Sequence, residues 1–205
     1  MIFGNVKTHS KTHLPLMLVL LACFAHIAAA TEFNVADLMQ VLSQRAASTS
    51  SSRATFIELK YIAALQQPLE SSGELFFTAP SRLEKHTLKP KAETLILDGD
   101  KLQITRSNGR KMTLALADRP EVSGFVESMR STLLGDRAAL ERYYQLETAG
   151  SISAWQLQLT PKVESMRKIV STIRMTGSDA QVKTIELMQA DGDRSVMTIT
   201  AEQTL

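Results

Sequence analysis

The chain has 205 residues, with 23 Lys and Arg, 21 Asp and Glu, four His and one Cys. Residues 1–30 hold two of the basic residues, three of the histidines and the cysteine, so the rest of the chain balances 21 positive against 21 negative charges and keeps His86 alone. That balance leaves no electrostatic footprint for nucleic acid, and a lone histidine without cysteine excludes metal sites built from several nitrogen or sulfur ligands.

The N-terminus reads as an export signal. Lys7 and Lys11 precede an apolar run from Leu14 to Ile27, and Ala28, Ala29 and Ala30 supply the small residues for cleavage before Thr31. The run is shorter than the ~18 residues of a spanning helix. A soluble periplasmic or secreted protein is expected, with residues 31–205 folding as one domain. Leu20-Leu21-Ala22-Cys23 resembles a lipobox, which would lipidate Cys23 and tether the protein. Cleavage after Ala30 is preferred, because Leu21 is an uncommon residue at its place and the apolar sequence continues past Cys23.

A helix is predicted over residues 33–47. Asn34 and Asp37 form a capping box, Phe33 and Leu38 have the spacing of a hydrophobic staple, and Val35, Leu38, Met39 and Leu42 make one apolar stripe. Residues 48–52 are polar and predict a loop. From Arg53 the period changes to two, giving strands over 53–65, 69–78, 81–89 and 93–98. The stretch 81–89 alternates least cleanly. Asp98-Gly99-Asp100 reads as a hairpin turn, followed by strands carrying Leu102 and Ile104, then Met112, Leu114 and Leu116. Residues 118–145 read as helical, with Val122, Phe125, Val126, Met129 and Leu133 at intervals of three and four; Gly135 stops one helix and Asp136 caps the next. Strands resume at Ile152 and end at Pro161, and later runs cover 168–175, 181–189 and 194–200. The fold class expected is α+β, mainly β. About ten antiparallel strands form an unclosed barrel, with an N-terminal helix and a helical insertion covering its apolar face.

No phosphate loop, nucleophile elbow or paired zinc-binding histidines occur. His86, between Lys85 and Thr87 in an alternating stretch, reads as a solvated strand residue. Asp98-Gly99-Asp100 and Asp191-Gly192-Asp193 lack the distal ligands of a calcium loop and read as turns. Neither an enzyme nor a cofactor is expected.

The order of elements resembles the LolA family of periplasmic carriers of outer-membrane lipoproteins. The resemblance rests on Gly73–Leu83 (glycine, alternating strand, Pro80, following strand), on Leu97–Leu102 with its Asp-Gly hairpin, on Leu133–Asp136 between the insertion helices, and on Trp155–Pro161. It implies an unclosed barrel whose concave apolar face is capped by helices. It also implies cargo in the form of lipoprotein acyl chains or another lipid, received from an inner-membrane transporter and handed to an outer-membrane acceptor. Family members often carry an arginine before the strand-ending proline, where it latches the lid; here that position is Ala79, which marks a divergent member.

On this reading the sheet lining is Leu75, Phe77, Leu95, Leu97, Leu102, Ile104, Met112 and Leu114, and the lid is Val122, Phe125, Val126 and Met129. Aliphatic and methionine side chains match acyl chains of variable shape without demanding hydrogen bonds. The protein is expected to act as a monomer. The alternatives are an outer-membrane acceptor lipidated on Cys23 and a non-catalytic envelope scaffold, with a lipid hydrolase as a further reading.

Overall fold

The computed structural model describes residues 33–202 together with Met1. Apart from Met1, the export-signal and Cys23 readings lie outside the described residues. Helix α1 (Val35–Ser48) begins where its sequence directs: the Asn34 side chain accepts from the Ala36 and Asp37 backbone N–H groups, and Asp37 answers by accepting from the Asn34 N–H at 3.0 Å. Strands β1 (Ser51–Tyr61), β2 (Leu69–Thr78), β3 (Arg82–Lys89), β4 (Glu93–Asp98), β5 (Lys101–Arg106) and β6 (Lys111–Ala115) follow. A short 3-10 turn at Leu116–Asp118 leads into helices α2 (Pro120–Leu134) and α3 (Arg137–Tyr143). The chain returns to the sheet with β7 (Tyr144–Ser151) and β8 (Ala154–Pro161), makes one helical turn, α4 (Glu164–Arg167), and ends with β9 (Val170–Ser178), β10 (Gln181–Gln189) and β11 (Arg194–Ala201).

All eleven strands belong to one antiparallel sheet, in the order β6-β5-β4-β3-β2-β1-β11-β10-β9-β8-β7. Two meanders are joined where β1 pairs with β11, from Ala54 opposite Ala201 to Tyr61 opposite Arg194. The sheet is not closed: β6 and β7 are its two edges, and the insertion carrying α2 and α3 connects them. The expected open barrel is therefore the observed architecture.

Three local expectations are corrected. The strand β7 lies where the sequence reads as the end of the insertion and a gap. It is an edge strand with few apolar residues, and Tyr144 and Leu146 are the ones that reach the core. Strand β1 starts at Ser51, inside the predicted loop, because Ser51 and Ser52 pair with Thr78 and Phe77 of β2. It stops at Tyr61, since Ile62–Leu65 turn back through a 2.9 Å hydrogen bond. The single turn of α4 carries one buried residue, Met166, too little to produce a helical period.

The packed core occupies one half of the barrel. Leu38, Met39 and Leu42 of α1 and Leu140 of α3 pack with Tyr144, Trp155, Leu157, Leu159, Met166, Val170, Ile173 and Met175. Those strand residues come from β7, β8 and β9, so α1 and α3 cover that part of the C-terminal meander. Trp155 fits because its partner Gly177 has no side chain; a Cβ there would lie 2.2 Å from the indole. Among the described residues the N-terminal meander receives no comparable filling.

Candidate functional site

Alternation places one face of the N-terminal meander inward in continuous cross-strand rows. One row runs Ser52, Phe77, Leu83, Leu97, Leu102, Leu114. The next runs Ala54, Leu75, Lys85, Leu95, Ile104, Met112. Above these rows lies a cavity of about 500 Å³, within the ~300–1,000 Å³ of small-molecule sites. Its far walls are Ile185 and Leu187 of β10 and Met197 and Ile199 of β11, and its roof is α2 through Phe125, Val126, Met129 and Leu133.

Of the residues singled out from sequence, Leu75, Phe77, Leu95, Leu97 and Leu102 line this cavity together with Phe125, Val126 and Met129. The structure does not bring in the rest. Ile104, Met112 and Leu114 continue the same rows toward the β6 edge but lie beyond the cavity, with Met112 44% exposed. Val122, in the first turns of α2, also lies outside it. Sequence reasoning missed the walls on β10 and β11, which join the site only through the β1–β11 pairing. It also missed two charged residues on the inner face, Glu58 and Lys85.

The roof helix is held firmly on its packed side. The buried Tyr144 hydroxyl donates to the Gly124 carbonyl at 3.1 Å. Burial pushes that hydroxyl up to about 12, with a hydrogen bond from Ser128 working the other way. Gly124 lets Met166 approach so closely that a Cβ would sit 2.4 Å from its sulfur. At the C-terminus Gly135 takes a left-handed conformation, φ 65°, and its missing Cβ would fall 2.3 Å from the Met39 carbonyl of α1. Toward the hollow side, Arg130 donates to the Gly99 carbonyl in the β4–β5 turn at 3.3 Å and pairs with Glu127 on its own helix. Ala79, which stands where the family often has its latch arginine, uses its N–H to bond the Ser50 carbonyl at 3.0 Å.

The remaining polar candidates are structural in their contacts. His86 sits on the outer face of β3, 2.8 Å from Glu84, with its ring tilted against Phe76. Burial works to raise the Glu84 carboxyl, and hydrogen bonds from Arg82 and His86 outweigh it, so its pKa lies below the usual glutamate value. Asp191 and Asp193 bond backbone N–H groups, at Asp193 and Ala63. Among the described residues no cluster of three or more His, Cys, Asp or Glu could hold a metal ion.

The profile of the outer membrane lipoprotein carrier protein LolA-like family matches residues 28–203. The chain belongs to that family. Its members are envelope proteins that bind lipoproteins or lipids. Solved structures with a similar fold include a LolA superfamily protein from Nitrosomonas europaea, 10% identical, with 84% of this chain and 95% of that one covered and a TM-score of 0.43. A putative outer membrane lipoprotein-sorting protein domain from Vibrio parahaemolyticus is 8% identical, with 82% and 93% covered and a TM-score of 0.44. The MucA/MucB complex of Pseudomonas aeruginosa gives 14% identity, with 83% of this chain and 58% of that one covered, at 0.43. No curated protein matches the sequence. Among the described residues, no helix of this LolA-like protein is long and apolar enough to cross a membrane.

Proposed function

We propose that this LolA-like protein is a periplasmic carrier that shelters the acyl chains of a lipoprotein or related lipid and moves them toward the outer membrane, without catalysing a reaction. The observation that carries the reading is the asymmetry of the barrel. α1 and α3 fill the barrel over β7–β9, while β1–β5, β10 and β11 face an apolar cavity of about 500 Å³ roofed by α2. An acyl chain gains about 0.8 kcal/mol per buried methylene, so a sixteen-carbon chain needs on the order of 12 kcal/mol of shelter to leave a membrane. An apolar trough left open would invite aggregation, and α2 supplies the cover. In this reading residues 1–30 are removed on export, residues 31–205 are the carrier domain, and Phe125, Val126 and Met129 move outward with α2 when cargo enters. An inner-membrane donor and an outer-membrane acceptor are its expected partners.

Native mass spectrometry of the protein purified from its own envelope tests the reading. Species of lipid or lipoprotein mass are expected on the wild type. Phe125→Asp, which sets a carboxylate in the roof, is expected to lose at least ten-fold in bound lipid while keeping its β-sheet circular dichroism. A wild-type protein that emerges free of lipid, or a Phe125→Asp variant with undiminished cargo, refutes the proposal.

A further inference from the structure

The inner face of the hollow meander is interrupted at one place. Lys85 stands in the row Ala54, Leu75, Lys85, Leu95, Ile104, Met112, where every neighbour is apolar. Its ammonium lies 2.5 Å from Glu58 Oε2 and 4.8 Å from the centre of the Phe56 ring. Glu58 is on β1 opposite Met197 of β11 and Ser71 of β2, and Gly73, between the two charged residues in register, has no side chain to separate them. Both side chains line the cavity and are mostly enclosed, at 25% and 20% exposure for Lys85 and Glu58.

The other charged residues around the cavity pair elsewhere or are exposed. Arg53 pairs with Glu74 and Glu202, Glu84 pairs with Arg82 and His86 on the outer face, and Arg45 is exposed at the end of α1. Lys60, next on the inner face after Glu58, lies beyond the cavity. An ion pair withdrawn from water is a poor stabiliser, and apolar replacements of similar volume are often as stable or more so. A filled core would therefore gain nothing from this pair, and a cavity meant for hydrocarbon alone would gain less.

We propose that Glu58 and Lys85 form a headgroup subsite that selects an amphiphile bearing both an anionic and a cationic group, with the anion on Lys85 and the cation on Glu58. Charge matching decides the class. A purely anionic head that reaches Lys85 meets the Glu58 carboxylate beside it, and a purely cationic head meets the Lys85 ammonium. A zwitterionic head, such as a phosphate linked to an ammonium, satisfies both while its acyl chains lie against Leu75, Leu95 and Met197. The inference rests on the carrier reading and adds the chemistry of the cargo's head.

The test is incubation of the mature protein with vesicles of equimolar phosphatidylethanolamine and phosphatidylglycerol of matched chains, followed by native mass spectrometry of the bound lipid. One well-matched charged contact corresponds to about a ten-fold preference, so the wild type is expected to hold phosphatidylethanolamine over phosphatidylglycerol by about that ratio. Glu58→Gln leaves Lys85 as an unopposed cation and is expected to bring the ratio below one. The double variant Glu58→Leu/Lys85→Met, which strands neither charge, is expected to bring it to about one and guards against a single variant that fails to fold. Wild-type protein that holds both lipids equally, or a double variant with the wild-type ratio, overturns the subsite and leaves the carrier reading standing. Wild-type protein that takes up neither lipid overturns the subsite, and the carrier reading falls with it where protein purified from its own envelope is also free of lipid.

Discussion

Truncating one leucine in each half of the barrel separates a packed core from a hollow one. Leu157 on β8 is 0% exposed and lies in the core cluster. Leu157→Ala removes three carbons from a site surrounded on all sides, and such changes cost about 3–5 kcal/mol through lost transfer energy and the new void. Leu95 on β4 presents one side to a cavity that already exists. Its truncation enlarges a space without creating one, and about half of its methylene transfer is at stake, so Leu95→Ala is expected to cost about 1 kcal/mol. For a domain of this size 1 kcal/mol moves the melting temperature by roughly 2–4 °C. The pair should therefore melt about 4 °C or more apart. The assay is urea unfolding and thermal melting of protein stripped of bound lipid, with the retained lipid measured in parallel. Equal losses for Leu95→Ala and Leu157→Ala would mean that the N-terminal meander is filled in solution, and the reasoning from a hollow half would be wrong.

Gly135→Ala forces a Cβ into a left-handed backbone and against the Met39 carbonyl; a loss of about 2 kcal/mol or more is expected in denaturant unfolding. Tyr144 makes stability fall in alkali. Its folded value of about 12 exceeds the ordinary 10.0, so between these the unfolded chain has released a proton that the folded chain keeps. Stability then declines as pH rises through that window, by on the order of 2 to 3 kcal/mol in full. Tyr144→Phe is expected to cost about 1 kcal/mol at neutral pH by losing the bond to Gly124 and to flatten the alkaline decline; an unchanged slope between pH 10 and 12 would count against it. Arg130→Met removes the hydrogen bond from α2 to the Gly99 carbonyl and is expected to speed uptake of a fluorescent fatty acid in stopped-flow mixing, with little change in melting temperature.

Much of the fold is written locally. The capping box at Asn34 and Asp37 starts α1, Gly135 and Asp136 divide the insertion, and the Asp-Gly turns at 98–100 and 191–193 set hairpins, because each needs only neighbours in the chain. Alternation likewise identifies the apolar face that carries Leu75, Phe77, Leu95 and Leu97. The edge strand β7 escapes such reading because its pairing with β8 and not its own apolar content makes it a strand.

The elements, their turns and the side of the sheet that shuns water are legible in the chain alone, since these follow from backbone preference and period. Which part of that side is filled depends on long-range packing. The β1–β11 pairing curls β10 and β11 around to face β4, and α1 and α3 settle on β7–β9, so equally apolar residues become core there and cavity wall elsewhere. The irregular alternation at 81–89 also acquires its cause there. Lys85 points inward to a carboxylate 27 residues away, a distance in sequence over which no local period can report a contact.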